Sequence, residues 1–138
     1  MDTPDTSSTS VVREYIESVW NQGDATALHR MTTSGFQYHL GGQPPRDRSG
    51  MEEFVATTRR AFPDWRVEVS AMVVQGNQVA VRWRGNVTHD GDFHGIPASG
   101  KAIKVCGINW YRVSAGRVAE EWEQMDTVGM LRQLGLGT

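Results

Sequence analysis

Cysteine is nearly absent. Cys106 stands alone in 138 residues, which excludes an internal disulfide and fits a reducing compartment. No apolar run approaches the roughly 20 residues needed to span a bilayer. Met1 to Ser10 are polar and lack the charged-then-apolar layout of a secretory signal. They are expected to form a disordered lead-in, and the chain to work in the cytoplasm with no membrane partner. Neither sign of charge dominates: 14 Lys and Arg stand against 16 Asp and Glu, a formal net charge of −2, with a pI near 6.1. The basic footprint of a nucleic-acid binder is therefore missing. No recognisable motif for flavin, haem or nicotinamide occurs, so no cofactor is expected. Aromatic residues, by contrast, are well supplied. Five Trp, three Tyr and four Phe are enough to line an apolar cavity within one domain spanning residues 11–138.

Val11, Val12, Tyr15, Ile16, Val19 and Trp20 recur at helical spacing and predict an amphipathic first helix. Asn21-Gln22-Gly23-Asp24 ends it, and Asp24 is placed to cap a short second helix through Leu28 and Met31. Phe36 to Leu40 alternates as a short strand, and Gly41 to Arg48 is a Gly- and Pro-rich loop. Ser49-Gly50-Met51-Glu52 reads as a capping box. It opens a third helix that carries Met51, Phe54, Val55, Thr58 and Phe62 on one face and stops at Pro63.

From Trp65 the period changes to two. Val67, Val69 and Ala71 alternate, and Met72-Val73-Val74 leads to a hairpin signal at Gly76-Asn77. The strand from Val79 reaches toward His89, and Asp90 to Gly100 is a turn-rich excursion. Ile103 to Val113 and Val118 to Asp126 form the last two strands, with Asp126 placed to cap a final helix. Helices, one strand, a helix and then four long antiparallel strands predict an α+β fold, with helices against one face of a curved antiparallel sheet.

Carboxylates concentrate on the last strand. Alternation puts Glu120, Trp122, Gln124 and Asp126 on one face and Glu121, Glu123 and Met125 on the other. Whichever face is inward, at least one carboxylate enters apolar surroundings, where it must be paired, protonated or functional. The bland alternative makes Glu121 and Glu123 a solvated face opposite Arg112 or Lys104.

Several local patterns occur in one order: Trp20-Asn21-Gln22-Gly23-Asp24, Ala61-Phe62-Pro63-Asp64-Trp65, the excursion from Thr88 through His94-Gly95-Ile96-Pro97 to Lys101, and Gly116-Arg117-Val118-Ala119-Glu120-Glu121-Trp122. They run on through Asp126 to Leu131-Arg132-Gln133-Leu134-Gly135. Across residues 11–135 this set resembles the SnoaL-like polyketide cyclase family. The resemblance implies a cone-shaped α+β barrel like that of nuclear transport factor 2 and ketosteroid isomerase, with helices on its concave face and an apolar pocket inside. It implies intramolecular aldol ring closure without metal or organic cofactor, on an aromatic polyketide or similar apolar carbonyl compound. Other members hydroxylate related precursors, and a non-catalytic binder remains a third reading. A homodimer or homotetramer is expected.

Counted back without gaps from Leu131-Arg132-Gln133-Leu134-Gly135, the family's acid/base Asp falls on Glu123 and its neighbouring His on Asn109. Glu for Asp moves the carboxyl by one methylene, on the order of 1.5 Å. Asn for His loses a titratable group but keeps a donor for an oxyanion. Glu123 is thus the expected base and Asn109 the expected oxyanion partner, with His89 at the mouth of the cone as a third catalytic candidate. Tyr38, Trp83 and Met125 are expected to contact substrate, with Trp110 and Trp122 as further stacking surface. Asp126 reads as a cap and Glu120 as a partner of a sheet-face Arg. His89 and His94 flank Asp90 and Asp92, but this spacing matches no metal-ligand pattern, so no metal is expected. Cys106 is expected to be a small buried apolar residue.

Overall fold

The computed structural model describes residues 7–136. Helix α1 (Ser8–Tyr15) runs into a π-helical segment (Ile16–Asn21), followed by α2 (Ala25–Met31), β1 (Thr32–Leu40) and α3 (Arg48–Ala61). Then come β2 (Glu68–Gln75), β3 (Gln78–Thr88), β4 (Ala102–Ser114), β5 (Arg117–Met125) and α4 (Thr127–Gln133). Aspartates cap three of the helices. Asp24, Asp47 and Asp126 accept the backbone N–H of Ala27, Gly50 and Gly129 at 3.1, 2.9 and 2.9 Å. Asp24 and Asp126 stand where expected. The expected capping box at Ser49 is corrected: the cap and the start of α3 lie two residues earlier, because Asp47 already supplies the cap. The lead-in is corrected in part as well. Ser7 caps α1 and Ser8 to Ser10 are helical, while residues 1–6 lie outside the described residues.

The sheet order is β1-β5-β4-β3-β2. Strands β2 to β5 pair antiparallel through two hairpins, as the turn signals predict. The wholly antiparallel sheet is corrected at its edge, where β1 joins β5 in parallel, setting Tyr38 beside Glu121 and Leu40 beside Glu123. A parallel neighbour needs a long crossover rather than a hairpin, and the chain from α3 through β4 provides one. Register shifts in β1, β2 and at the β4–β5 pairing add the local kinks that bend such a sheet.

The inner face carries Val79, Val81, Trp83 and Val87 of β3 and Ile103, Val105 and Tyr111 of β4, all buried in the core, with α1 packed on both strands. The outer face carries Arg82 and Arg84, both exposed, with Ile108 and Trp110 half exposed. Cys106 shares that outer parity and is exposed, which corrects its expected burial. Among the described residues, no helix is long and apolar enough to cross a membrane.

The first helix departs from an ordinary α-helix in its second half. There Gln22 N–H donates to the carbonyl of Glu17, five residues back. In an ideal α-helix Tyr15 and Trp20 would point about 140° apart. Widening the turn brings both side chains to the same target on β5.

Gly91 fixes the excursion between β3 and β4 onto the end of α3. The N–H groups of Asp90 and Gly91 both donate to the Ala61 carbonyl, at 3.1 and 3.0 Å, and a Cβ on Gly91 would overlap the Arg60 carbonyl oxygen. Gly91→Ala should therefore destabilise the protein by about 1–3 kcal/mol. Gly42→Ala, with nothing within 4 Å of the added carbon, should change stability by less than about 0.5 kcal/mol. Thermal unfolding of the two variants checks the difference; equal midpoints would contradict it.

Candidate active site

The inner parity of β5 belongs to Glu121 and Glu123. Glu121 is fully buried and Glu123 is 5% exposed, so the solvated-face alternative is overturned. Among the described residues, neither carboxylate forms an ion pair with Lys, Arg or His. Neutral donors surround them instead. Tyr15 Oη–H donates to Glu121 Oε1 at 2.7 Å and Trp20 Nε1–H to Oε2 at 3.1 Å. Tyr38 Oη–H donates to Glu123 Oε1 at 2.8 Å.

Asn109 joins the two carboxylates. The hairpin pairs it directly with Glu123, and its Nδ2 donates to Glu121 Oε2 at 2.8 Å and to Glu123 Oε1 at 3.2 Å. Trp83 settles its orientation, because indole Nε1–H can only donate. It does so to Asn109 Oδ1 at 2.8 Å, leaving the amide NH₂ to face the carboxylates.

Burial raises the Glu123 carboxyl from its ordinary 4.5 to about 7. The neighbouring Glu121 charge adds to the rise, while hydrogen bonds from Tyr38 and Asn109 offset part of it. Burial also raises Glu121, opposed by the bonds from Tyr15, Trp20 and Asn109. Burial and then the nearby carboxylates push the Tyr15, Tyr38 and Tyr111 phenols well above 10.0, so they stay protonated as donors. Two like charges this close share protons as a pair, and around neutral pH this pair retains a proton.

Glu123 is the member of the pair that reaches open space. It lies in the wall of a cavity of about 410 Å³, with Trp20, Phe54, Phe62, Trp65, Met125 and Met130 among its neighbours there. Loop residues Gly41 to Gln43, the Phe93–Ile96 turn and α4 complete the lining. Trp65 carries a buried indole N–H with no hydrogen-bond partner among the described residues.

Of the expected site residues, the structure brings Glu123 and Met125 to the cavity. Tyr38 and Trp83 stand behind the wall, where they orient Glu123 and Asn109 rather than line the cavity. Asn109 is corrected from an oxyanion partner to the bridge between the carboxylates, since its amide is already engaged there. His89 is corrected from the mouth to a clasp. It is fully buried, bonds Ser99 Oγ through Nδ1 at 2.8 Å, and its backbone pairs with Lys101 and Gly100. Phe93, His94 and Ile96 of the loop it holds are the ones that line the cavity.

Trp110 lies on the outer face, and Trp122 stacks on His39 at 5.3 Å. Glu120 pairs with Arg112 at 3.1 Å, as expected, and with His39 at 2.7 Å. Among the described residues, no group of three or more His, Cys, Asp or Glu is placed to hold a metal. Glu121 joins the site as well, and its strand parity with Glu123 is the sequence signal that places it there.

Fold and site together define a small α+β protein with a helix-covered sheet, an apolar cavity and a proton-binding carboxylate in its wall. The sequence pattern of the SnoaL-like polyketide cyclases matches residues 10–134, and the chain belongs to that family. It is similar to IdmH, "a putative polyketide cyclase from Streptomyces antibioticus", at 31% identity over 94% of this chain and 99% of that one, with a TM-score of 0.82. A "putative SnoaL-like polyketide cyclase" from Jannaschia sp. CCS1 shares the fold at 21% identity and a TM-score of 0.88, over 100% of this chain and 99% of its own. AclR, "a putative hydroxylase from Streptomyces galilaeus", shares it at 22% identity and a TM-score of 0.82, over 93% and 95%. Among curated proteins, none matches.

The raised carboxyl has a consequence for stability. Between 4.5 and about 7 the folded protein holds a proton on Glu123 that the unfolded chain has released, so stability falls as pH rises through that window. At about 1.4 kcal/mol per pH unit, the fall is on the order of 3 kcal/mol and is complete above about 7. Glu123→Gln should remove it, so the variant gains on the natural protein as pH rises. Denaturant unfolding across this range checks it; parallel curves for the two proteins would contradict the buried-carboxyl assignment.

Proposed function

We propose that the protein is a cofactor-independent cyclase that closes a ring in an apolar carbonyl substrate by intramolecular aldol addition, with Glu123 as the acid/base. The carrying observation is a carboxylate with no cationic partner among the described residues and a pKa of about 7, in the wall of an aromatic cavity. A base poised near working pH combines a useful ionised fraction with useful basicity.

Ionised Glu123 takes a proton from the carbon next to one carbonyl. The C–H electron pair becomes the enolate double bond, and the charge moves to the carbonyl oxygen. In a polyketide that charge spreads over adjoining carbonyls. The enolate carbon then attacks a second carbonyl of the same molecule, forming the C–C bond. The resulting alkoxide takes the proton back from Glu123, so product and substrate have the same mass and the enzyme returns to its starting state. The apolar walls exclude water from the enolate.

Glu121 does not reach the cavity and acts here as a positioning residue. Its charge opposes ionisation of Glu123, and the shared Asn109 amide fixes the distance between them. Tyr38 holds the Glu123 oxygen from behind.

The test is mass spectrometry of products from a tricyclic β-keto-ester polyketide precursor. The expected product is an isomer of unchanged mass; a product heavier by one oxygen would instead support a hydroxylase. Glu123→Gln should abolish turnover, and normal turnover in that folded variant would sink the assignment. The kcat/KM profile should rise with pH and level off above about 7, as the base form accumulates. Glu121→Gln should shift the rise to lower pH by removing the neighbouring charge, and an unmoved profile would remove Glu121 from the account.

A further inference from the structure

Arg46 supplies the only fixed positive charge among the described residues that line the cavity, and Glu123 the only carboxylate. Three contacts set the position of Arg46. Its backbone N–H donates to the Tyr38 carbonyl at 2.9 Å and its carbonyl accepts from Tyr38 N–H at 2.8 Å, as an isolated bridge outside the named strands. Its stem runs against Gly50 of α3, where an added Cβ would come within 3.1 Å of Arg46 Cβ. Its guanidinium carbon stands 4.8 Å from the centre of the Phe54 ring, one turn further along α3.

No ion pair or hydrogen bond engages this guanidinium among the described residues. Of the acidic groups on the nearby chain, Asp47 caps α3, Glu52 pairs with His29 at 2.9 Å, and Glu53 is exposed and makes no ion pair with Arg46 among the described residues. A half-buried guanidinium held in place and left without an anion is a prepared receptor for one.

We infer that Arg46 selects substrates carrying a carboxylate on the part of the molecule that rests against Phe54, away from the carbonyl presented to Glu123. The fork of a single guanidinium matches the two oxygens of a carboxylate. No second fixed cation lines the cavity among the described residues to meet a phosphate dianion. Phe54 links the two ends of the site. Its ring lies 5.4 Å from that of Tyr38, and Tyr38 holds Glu123. An aromatic substrate with its ring along Phe54 and Trp20 can thus span from Arg46 to the base. This inference rests on the cavity being the substrate site, but not on the reaction that Glu123 performs.

The test is calorimetric titration of the whole protein with β-naphthoate and with its neutral methyl ester, at a pH below about 7 so that Glu123 is protonated. The natural protein should bind the acid at least about tenfold more tightly than the ester, the range of one charge-assisted hydrogen bond. Arg46→Gln should lose that preference while binding the ester about as well, which also shows that the variant is folded. Arg46→Lys, with charge but no fork, should keep a reduced preference. Equal binding of acid and ester by the natural protein, or a preference that survives in Arg46→Gln, would overturn the inference. Binding of neither compound would overturn it too, whereas the acid/base reading fails separately, through normal turnover in Glu123→Gln.

Discussion

One amide, that of Asn109, lies between two buried carboxylates that pair with no cation among the described residues, and much of the interior is organised around that contact. Placing two carboxylates in apolar surroundings is costly unless they are neutralised or hydrogen-bonded. Here both remedies operate. A proton is retained near neutral pH, and four N–H and O–H donors converge from three sides: Tyr15 and Trp20 from the first helix, Tyr38 from the parallel edge strand, and Asn109, held by Trp83, from the strands alongside. The π-helical turn, the parallel pairing of β1 with β5 and the register of the last hairpin are each needed to aim one of these groups. Such a network is fully effective only when complete, so it specifies the arrangement of the layers as well as the chemistry.

The two carboxylates are alike in sequence but not in position. Glu121 is enclosed by donors and has no route to the cavity, whereas Glu123 has a bond from behind and open space in front. In the proposed mechanism the first therefore sets the electrostatic background and the second exchanges protons with the ligand. An apolar ligand would displace water from the cavity and desolvate Glu123 further, strengthening its basicity when a reactive C–H is beside it. The same burial that makes folding weaker as Glu123 ionises makes the group useful as a base. This is a local instance of stability given up at a functional site.

Much of the architecture was legible because it follows from period and turn chemistry. The apolar spacing of Val11 to Trp20, the Gly76-Asn77 turn and the alternation from Val79 onward each have one simple solution. Glu123 was legible through strand parity together with family resemblance. What escaped depended on contacts distant in sequence. Nothing local says that β1 lies parallel to β5, and that pairing turns Tyr38 from a cavity residue into a hydrogen-bond donor. Nothing local says that Asn109 is consumed by Glu121 and Glu123, or that His89 turns inward to hold its own loop. Cys106 misled because residue type suggested burial while strand parity placed it outside, and parity prevailed. Strand parity put Glu121 and Glu123 on one face, which the fold turns inward; how the contacts on that face are shared needed the whole fold.

The central claim is that Glu123 ionises near neutral pH because it is buried beside a second carboxylate. Carbon-13 NMR of the glutamate side-chain carboxyls, followed across a pH titration and assigned by comparison with Glu123→Gln, tests it most directly. The account predicts a glutamate signal, lost in that variant, with its midpoint near 7 rather than 4.5. A Glu123 signal that titrates with the surface glutamates, around the ordinary carboxylate value, would contradict it.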